Sequence, residues 1–222
     1  MHSNLRSAAG HSQQGFLISL EGIDGSGKSS LAQRLSTFFV QELFSVFVTK
    51  EPGGTVLGSY MRSLLQEQAI PLAPIAEFLL FAADRAQHIH QVVGPHLAAG
   101  SLVISDRMAD SSLVYQGCGL GLDITMLGLI NAWAMQGVEP HVTLYVRIDY
   151  QTAWERCAQR GERLTAFEKR GKDFGERLIA GYDALAQNSL RIKIIDGAQH
   201  PEQVFKQAVA LVYPLVRAYY GF

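Results

Sequence analysis

The sequence predicts an α/β fold of three layers, a five-stranded parallel sheet lying between two layers of helices. Three observations carry that expectation. Short apolar runs alternate with long helical patterns along all 222 residues, the signature of a mostly parallel sheet. Most of those runs are apolar throughout rather than at every second position, as strands covered on both faces require. The first run also leads straight into a glycine-rich loop and then a helical pattern, the strand–loop–helix order of a phosphate-binding unit.

Taken in order, residues 1–14 are small and polar, without the apolar stretch of a secretory signal, and are expected to form a disordered tail. Residues 15–222 are expected to form a single domain. The first strand is Phe16–Leu20, followed by a helix over 28–43 in which Leu31, Leu35, Phe38 and Phe39 supply the apolar side. Strand two, Ser45–Thr49, ends in Lys50-Glu51-Pro52-Gly53-Gly54-Thr55, a turn by composition. Helices over 57–67 and 74–95 lead to strand three, Ser101–Ser105. A helix over 122–136 is apolar around most of its circumference, which suits either the core or a subunit interface. Strand four, Val142–Ile148, precedes a helix over 150–160; a helix over 173–187, strand Arg191–Ile195 and a helix over 201–218 complete the chain. In such folds ligands bind beyond the carboxyl ends of the strands, so the motifs after each strand converge on one crevice.

Composition narrows the function classes. Nineteen basic and twenty acidic residues leave a formal charge of −1, which is no electrostatic footprint for nucleic acid. No apolar run approaches the ~20 residues of a membrane helix. Two cysteines, Cys118 and Cys157, suit neither a disulfide framework nor a metal site. A reduced, cytoplasmic chain is the expectation.

The loop Gly22-Ile23-Asp24-Gly25-Ser26-Gly27-Lys28-Ser29 reads G-x-x-x-x-G-K-S, a P-loop. Its backbone N–H groups, left unobstructed by glycine, meet phosphate oxygens, and the next helix adds its N-terminal dipole. Lys28 is placed to reach the outer phosphates of a nucleoside triphosphate, and the Ser29 hydroxyl to hold Mg²⁺. Strand three ends in Asp106-Arg107. Asp106 is either a Mg²⁺ partner of the Walker-B kind or one half of a strand-end salt bridge, and Arg107 could meet a second phosphate bidentately. Phe81 and Arg85, four residues apart, share a helix face. They suit either stacking and edge recognition of a base, or core packing with an internal ion pair. Residues 156–177 are crowded with charge and interrupted by Gly161, Gly171 and Gly175. A solvated helical face and a cationic lid over the transferring phosphates both fit. His88 and His90 are two apart and do not share a helical face, so they read as surface or core rather than metal ligands.

The ordered motifs Glu21-Gly-Ile-Asp-Gly-Ser-Gly-Lys-Ser, Glu51-Pro-Gly-Gly-Thr, Phe81-Ala-Ala-Asp-Arg85, Asp106-Arg107 and Ser111-Ser-Leu-Val-Tyr-Gln-Gly117 resemble those of bacterial thymidylate kinases, P-loop nucleoside monophosphate kinases. The likeness runs from about residue 14 to the C-terminus. It implies the P-loop NTPase form of the fold, a homodimer, a lid over about 156–172, and transfer of the ATP γ-phosphoryl group to dTMP in dTTP biosynthesis. ATP would lie along Gly22–Ser30 (Ile23, Asp24, Gly25, Ser26, Gly27, Lys28 and Ser29 included), with Arg156 and the Asp196-Gly197-Ala198 loop beside adenine. On the acceptor side, Asp24 resembles the acidic residue that contacts the 3′-hydroxyl. Phe81 would stack on thymine, Arg85 would bond its carbonyl edge, Arg107 and Arg62 would grip the monophosphate, and Ser112, Tyr115 and Gln116 would line the pocket. Glu51 and Pro52 would shape the same rim. Ser29 and Asp106 would organise Mg²⁺. Another nucleoside monophosphate kinase is the nearest alternative; a GTPase switch would require an Asn-Lys-x-Asp motif, which the chain lacks.

Three departures from that pattern matter. Thr165-Ala166 stand before Phe167-Glu168 where such lids carry an Asp-Arg pair, and Gly25 occupies the P-loop position that other members fill with arginine. The transition-state cation is therefore expected from the lid, from Arg160 or Arg163, with Arg170 behind them. Met108 follows Asp106-Arg107 where an aromatic or histidine is usual.

Overall fold

The computed structural model describes residues 14–67, 71–161 and 165–222. Residues 1–13 of the expected tail, and Arg163, lie outside the described residues. Five strands, β1 (Leu17–Glu21), β2 (Val46–Lys50), β3 (Leu102–Asp106), β4 (Val142–Arg147) and β5 (Ile192–Asp196), form one sheet in the order β2-β3-β1-β4-β5. Every neighbouring pair is parallel. The expected strands are thus each present within about a residue of their anticipated ends.

Alternation along β1 explains the layers. Ile18 and Leu20 face a cluster with Leu31, Leu35 and Phe39 of α1 (Lys28–Gln41) and Val204, Ala208, Val212 and Val216 of α9 (Pro201–Tyr220). Leu17 faces the opposite layer, with Ile89, Val93 and Met108. That layer contains α2 (Val56–Glu67), α3 (Pro74–His88), α4 (Gly94–Ala98), α5 (Ala109–Ser112) and α6 (Ile124–Met135). Helices α7 (Tyr150–Gln159) and α8 (Lys172–Gln187) flank β4, where Phe174, Leu178 and Tyr182 pack with Tyr145. Strand β1 lies between β3 and β4, so the crossovers leave it in both directions and open a crevice at its carboxyl end.

Two segments differ from expectation. The single helix over 74–95 is α3, a π-helical stretch Ile89–Val93 and α4 in succession. Pro95 has no N–H to donate back along the helix, and the backbone widens just before it. Residues 109–119, in which no helix was expected, form α5 and a second π-helical stretch, Leu113–Gly119. Its serines and glycines are poor helix formers, and burial of Val114, Tyr115 and Gln116 decides the outcome instead.

Candidate active site

The crevice beyond β1 and β3 has a volume of about 790 Å³ and runs from the P-loop to the base-side residues of α3. That is the upper end of the range for small-molecule sites, room enough for two ligands side by side.

The P-loop end is organised by backbone conformation. Gly27 caps α1 with φ of 95°, leaving the first-turn N–H groups without helical partners. Lys28 is 6% exposed, and its Nζ donates to the Ile23 carbonyl at 2.8 Å and the Ser26 hydroxyl at 3.2 Å. Burial, with Arg107 adding, pulls its ammonium down to about 8. An arriving phosphate would raise it back toward its ordinary value. The Ser29 hydroxyl donates to Asp106 Oδ2. Gly22, Ile23 and Ser26 lie behind the crevice wall, which Asp24, Gly25, Gly27, Lys28 and Ser29 form. A Cβ on Gly22 would meet the Val146 carbonyl at 2.6 Å, so the loop turns that face inward. Ile23 and Ser26 act on Lys28.

Arg107 joins the two halves. It is held at φ of 75°, a conformation unfavourable to any residue with a Cβ, while its N–H donates to the Leu20 carbonyl at 2.9 Å. Its Nη2 donates to Asp24 at 2.5 Å and to the Tyr115 hydroxyl at 2.9 Å; Nη1 donates to Ser111 at 3.0 Å and Tyr182 at 3.3 Å. Burial opposes that charge, but the surrounding oxygens outweigh it and hold Arg107 firmly protonated. Asp24 shows the mirror image: burial raises its carboxyl, and Arg107 and Lys28 bring it below the usual range. Arg62 donates to the Pro52 carbonyl at 3.0 Å and faces the same crevice. Burial leads in lowering its guanidinium and the like charge of Arg107 adds to it, while Asp106 and Asp24 oppose. Cations crowded together in this way want an anion between them.

The base-side residues line the crevice with differing freedom. Phe81, Ser112, Tyr115 and Gln116 all reach it. Arg85 is 1% exposed, and four of its five N–H groups go to Glu51, Asn131, Met108 and Ser112. Glu51 spends both oxygens on Arg85 and His88, each at 2.9 Å. Glu51 lines the crevice as expected, with its carboxylate oxygens already engaged by Arg85 and His88. His88, whose other nitrogen meets Thr49 at 2.6 Å, is a core residue.

Segment 156–172 splits by role. Arg156 and Arg160 line the crevice. Arg156 donates to the Gly197 carbonyl at 2.9 Å, tying α7 to the loop after β5; Ala198 lies in that loop but outside the crevice wall. Arg160 donates to Glu168 at 2.6 Å. Glu168 in turn accepts from the Thr165 N–H at 2.6 Å, while the Thr165 hydroxyl accepts from the Glu168 N–H at 3.2 Å, a reciprocal capping box. Arg170 does not face the P-loop. Its guanidinium lies over the Phe167 and Phe174 rings and pairs with Glu77 at 2.6 Å, engaged away from the P-loop where Arg160 faces the crevice.

Four residues escaped the sequence reading. Glu21 accepts from the Met108 N–H at 2.8 Å, Ser111 at 2.6 Å and Tyr182 at 2.9 Å, a buried anchor beneath Arg107. Burial, with Asp110 adding, pushes its carboxyl up to about 7. Asp84 accepts from Gly53 and holds the 51–55 turn. Asn131 accepts from Arg85 at 2.6 Å, and Glu77 accepts from Gln116 at 3.0 Å. An acidic residue ending a mostly apolar, fully buried strand was the one available signal for Glu21; the others depend on contacts between distant segments.

A family model described as thymidylate kinase matches residues 20–208. The chain is 38% identical over 192 residues to a thymidylate kinase of Carboxydothermus hydrogenoformans, covering 86% of this chain and 94% of the relative. It is 40% identical over 211 residues to one of Oleidesulfovibrio alaskensis, covering 90% and 100%. A crystal structure of thymidylate kinase from Ehrlichia chaffeensis superposes with a TM-score of 0.73 at 28% identity, covering 90% of this chain and 99% of that one.

Proposed function

The chain belongs to the thymidylate kinase family, and we propose that it transfers the γ-phosphoryl group of ATP to dTMP, giving dTDP and ADP for dTTP supply. The observation that carries the reading is Arg107. One strained arginine bonds Asp24 of the P-loop and Tyr115 of the base pocket together, where a donor and an acceptor phosphate must meet.

The acceptor phosphate has a second pKa near ~6 and is mostly dianionic at neutral pH, so no strong general base is needed. Catalysis consists of alignment and charge neutralisation. Lys28 takes the donor phosphates, Arg107 and Arg62 the acceptor phosphate, and Arg160 the charge that develops between them. Phe81 stacks on the base, and Arg85 offers it the one N–H left over. Ser112, Tyr115 and Gln116 close the pocket, with Tyr115 against the sugar.

Mg²⁺ fits the residues present: Ser29 and Asp106 offer hard oxygens in mutual contact, and one carboxylate with phosphates and water is a usual magnesium donor set. When bound it would supply positive charge that offsets the charge of the donor phosphates. Among the described residues no cluster of three or more His, Cys, Asp or Glu forms a separate metal cage.

Met126, Leu129 and Trp133, the last 84% exposed, form an apolar stripe along α6, and we read it as the face of a homodimer. No helix of the described residues is long and apolar enough to cross a membrane, and both cysteines are free, which supports action in the cytoplasm.

A panel of nucleoside monophosphates at fixed ATP·Mg²⁺ tests the reading, with dTMP expected to give the highest kcat/KM and sedimentation of the same preparation to give a two-chain mass. Lys28→Ala should lose turnover while remaining folded. Highest activity on a purine nucleotide, or substantial turnover by Lys28→Ala, would overturn it.

A further inference from the structure

Glu77 lies in the first turn of α3 and is 3% exposed. Its two oxygens serve different parts of the molecule. Oε1 accepts from Gln116 Nε2 at 3.0 Å, and Oε2 accepts from Arg170 Nη2 at 2.6 Å. Arg170 is clasped over Phe167 and Phe174, its guanidinium carbon 4.9 and 5.1 Å from the ring centres. The Phe167 ring lies 6.0 Å from Phe81 and 5.6 Å from Tyr115 and shares the crevice wall with them.

An ionised carboxylate only accepts hydrogen bonds, so Gln116 must turn its NH₂ toward Glu77. The other end of the amide, Oε1, is then the one left to bond whatever occupies the crevice. Without Glu77, either end of the amide could face the ligand. We propose that Glu77 is a positioning residue for base specificity: it fixes Gln116 as an acceptor-only reader, which selects pyrimidines bearing an imide N3–H over those whose N3 is a lone pair. The Arg170 ion pair makes a carboxylate tolerable at this depth. It also seats the 165–170 turn against the same pocket, so that Phe167 closes the wall around the base. The inference rests on the reading of the crevice as a pyrimidine monophosphate site.

The test is a double-mutant cycle over Glu77→Gln and Gln116→Met, with kcat and KM measured for dTMP and dCMP and folding checked by Tm. A glutamine at 77 can donate or accept, so Glu77→Gln should cut the dTMP-to-dCMP ratio of kcat/KM by about tenfold, the scale of one well-made hydrogen bond. The change should lie mainly in the dTMP KM. Gln116→Met should lose the same discrimination, and adding Glu77→Gln to it should change the ratio little further. A merely structural role would lower Tm and slow both nucleotides alike with the ratio intact, and that result overturns the proposal. If Glu77→Gln fails to fold, an unchanged ratio in Gln116→Met overturns it equally. A wild-type enzyme with no preference for dTMP over dCMP would instead refute the underlying functional reading.

Discussion

Gly25→Ala adds a single methyl group, and the structure says where that carbon must go. Gly25 sits at φ of 83°, and an ideal Cβ there would lie 2.4 Å from the Ala153 carbonyl oxygen and 3.0 Å from Cys157 Sγ. The left-handed conformation costs a residue with a Cβ about 1–2 kcal/mol. The clash with a helix backbone, which cannot rotate aside as a side chain can, adds about 1–3 kcal/mol. A total of about 2–5 kcal/mol corresponds to a fall in Tm of about 5–15 °C for a domain of this size. Relief requires separating the P-loop from α7, so the KM for ATP should rise with the loss of stability. Thermal unfolding with and without ATP·Mg²⁺ measures the first effect and initial rates the second. A Tm within about 2 °C of wild type, together with an unchanged ATP KM, would refute the reasoning. The same geometry explains the missing P-loop arginine: no side chain fits at position 25 without moving α7.

Arg160→Ala should therefore lower kcat on the order of 10³-fold, with a smaller effect on the KM for dTMP; wild-type kcat in this variant would remove Arg160 from the transition state. A second expectation concerns pH. Glu21, pushed up to about 7 mainly by burial, binds its proton more tightly folded than unfolded, so its contribution is full below its ordinary value and fades as pH rises through about 7. Tm should consequently fall between pH 5 and pH 8, and Glu21→Gln should fall less over that interval; parallel slopes in the two proteins would count against a raised Glu21. Asp84, raised to about 6 chiefly by burial, titrates in both proteins and cancels from the comparison.

What the sequence made legible was whatever depends on neighbours in the chain. Strands Leu17–Glu21 and Leu102–Asp106 were visible because their apolar runs are short and bounded, and the P-loop because its spacing is fixed by backbone geometry. Residues 109–119 were illegible as a helix because Ser111, Ser112, Gly117 and Gly119 argue locally against one, while burial of Tyr115 and Gln116 overrides them. The partition of Arg160 from Arg170 was hidden for a similar reason. Both are cations in one charged run, and they part only because Glu77, more than eighty residues upstream, captures one while Glu168 captures the other. Asn131 was masked by its own helix, whose apolar surroundings gave no hint that one polar side chain would meet Arg85.

Arg107 shows why the strain at the centre of the site is retained. A residue continuing β3 in extended conformation would send its side chain above or below the sheet. At φ of 75° the guanidinium instead crosses the end of β1 to Asp24 and Tyr115. The conformational penalty of about 1–2 kcal/mol is offset by four side-chain hydrogen bonds, two of them to Ser111 and Tyr182, which Glu21 holds from below. Those two partners are themselves fixed, so Arg107 is aimed before any phosphate arrives, and little reorganisation is left for the moment of transfer. The arrangement also makes Asp24 a movable counter-ion. On the proposed reading, an acceptor phosphate would bring more charge to Arg107 than one carboxylate does, and Asp24 would then be released to bond a sugar hydroxyl. The P-loop would in that way answer to the acceptor as well as the donor.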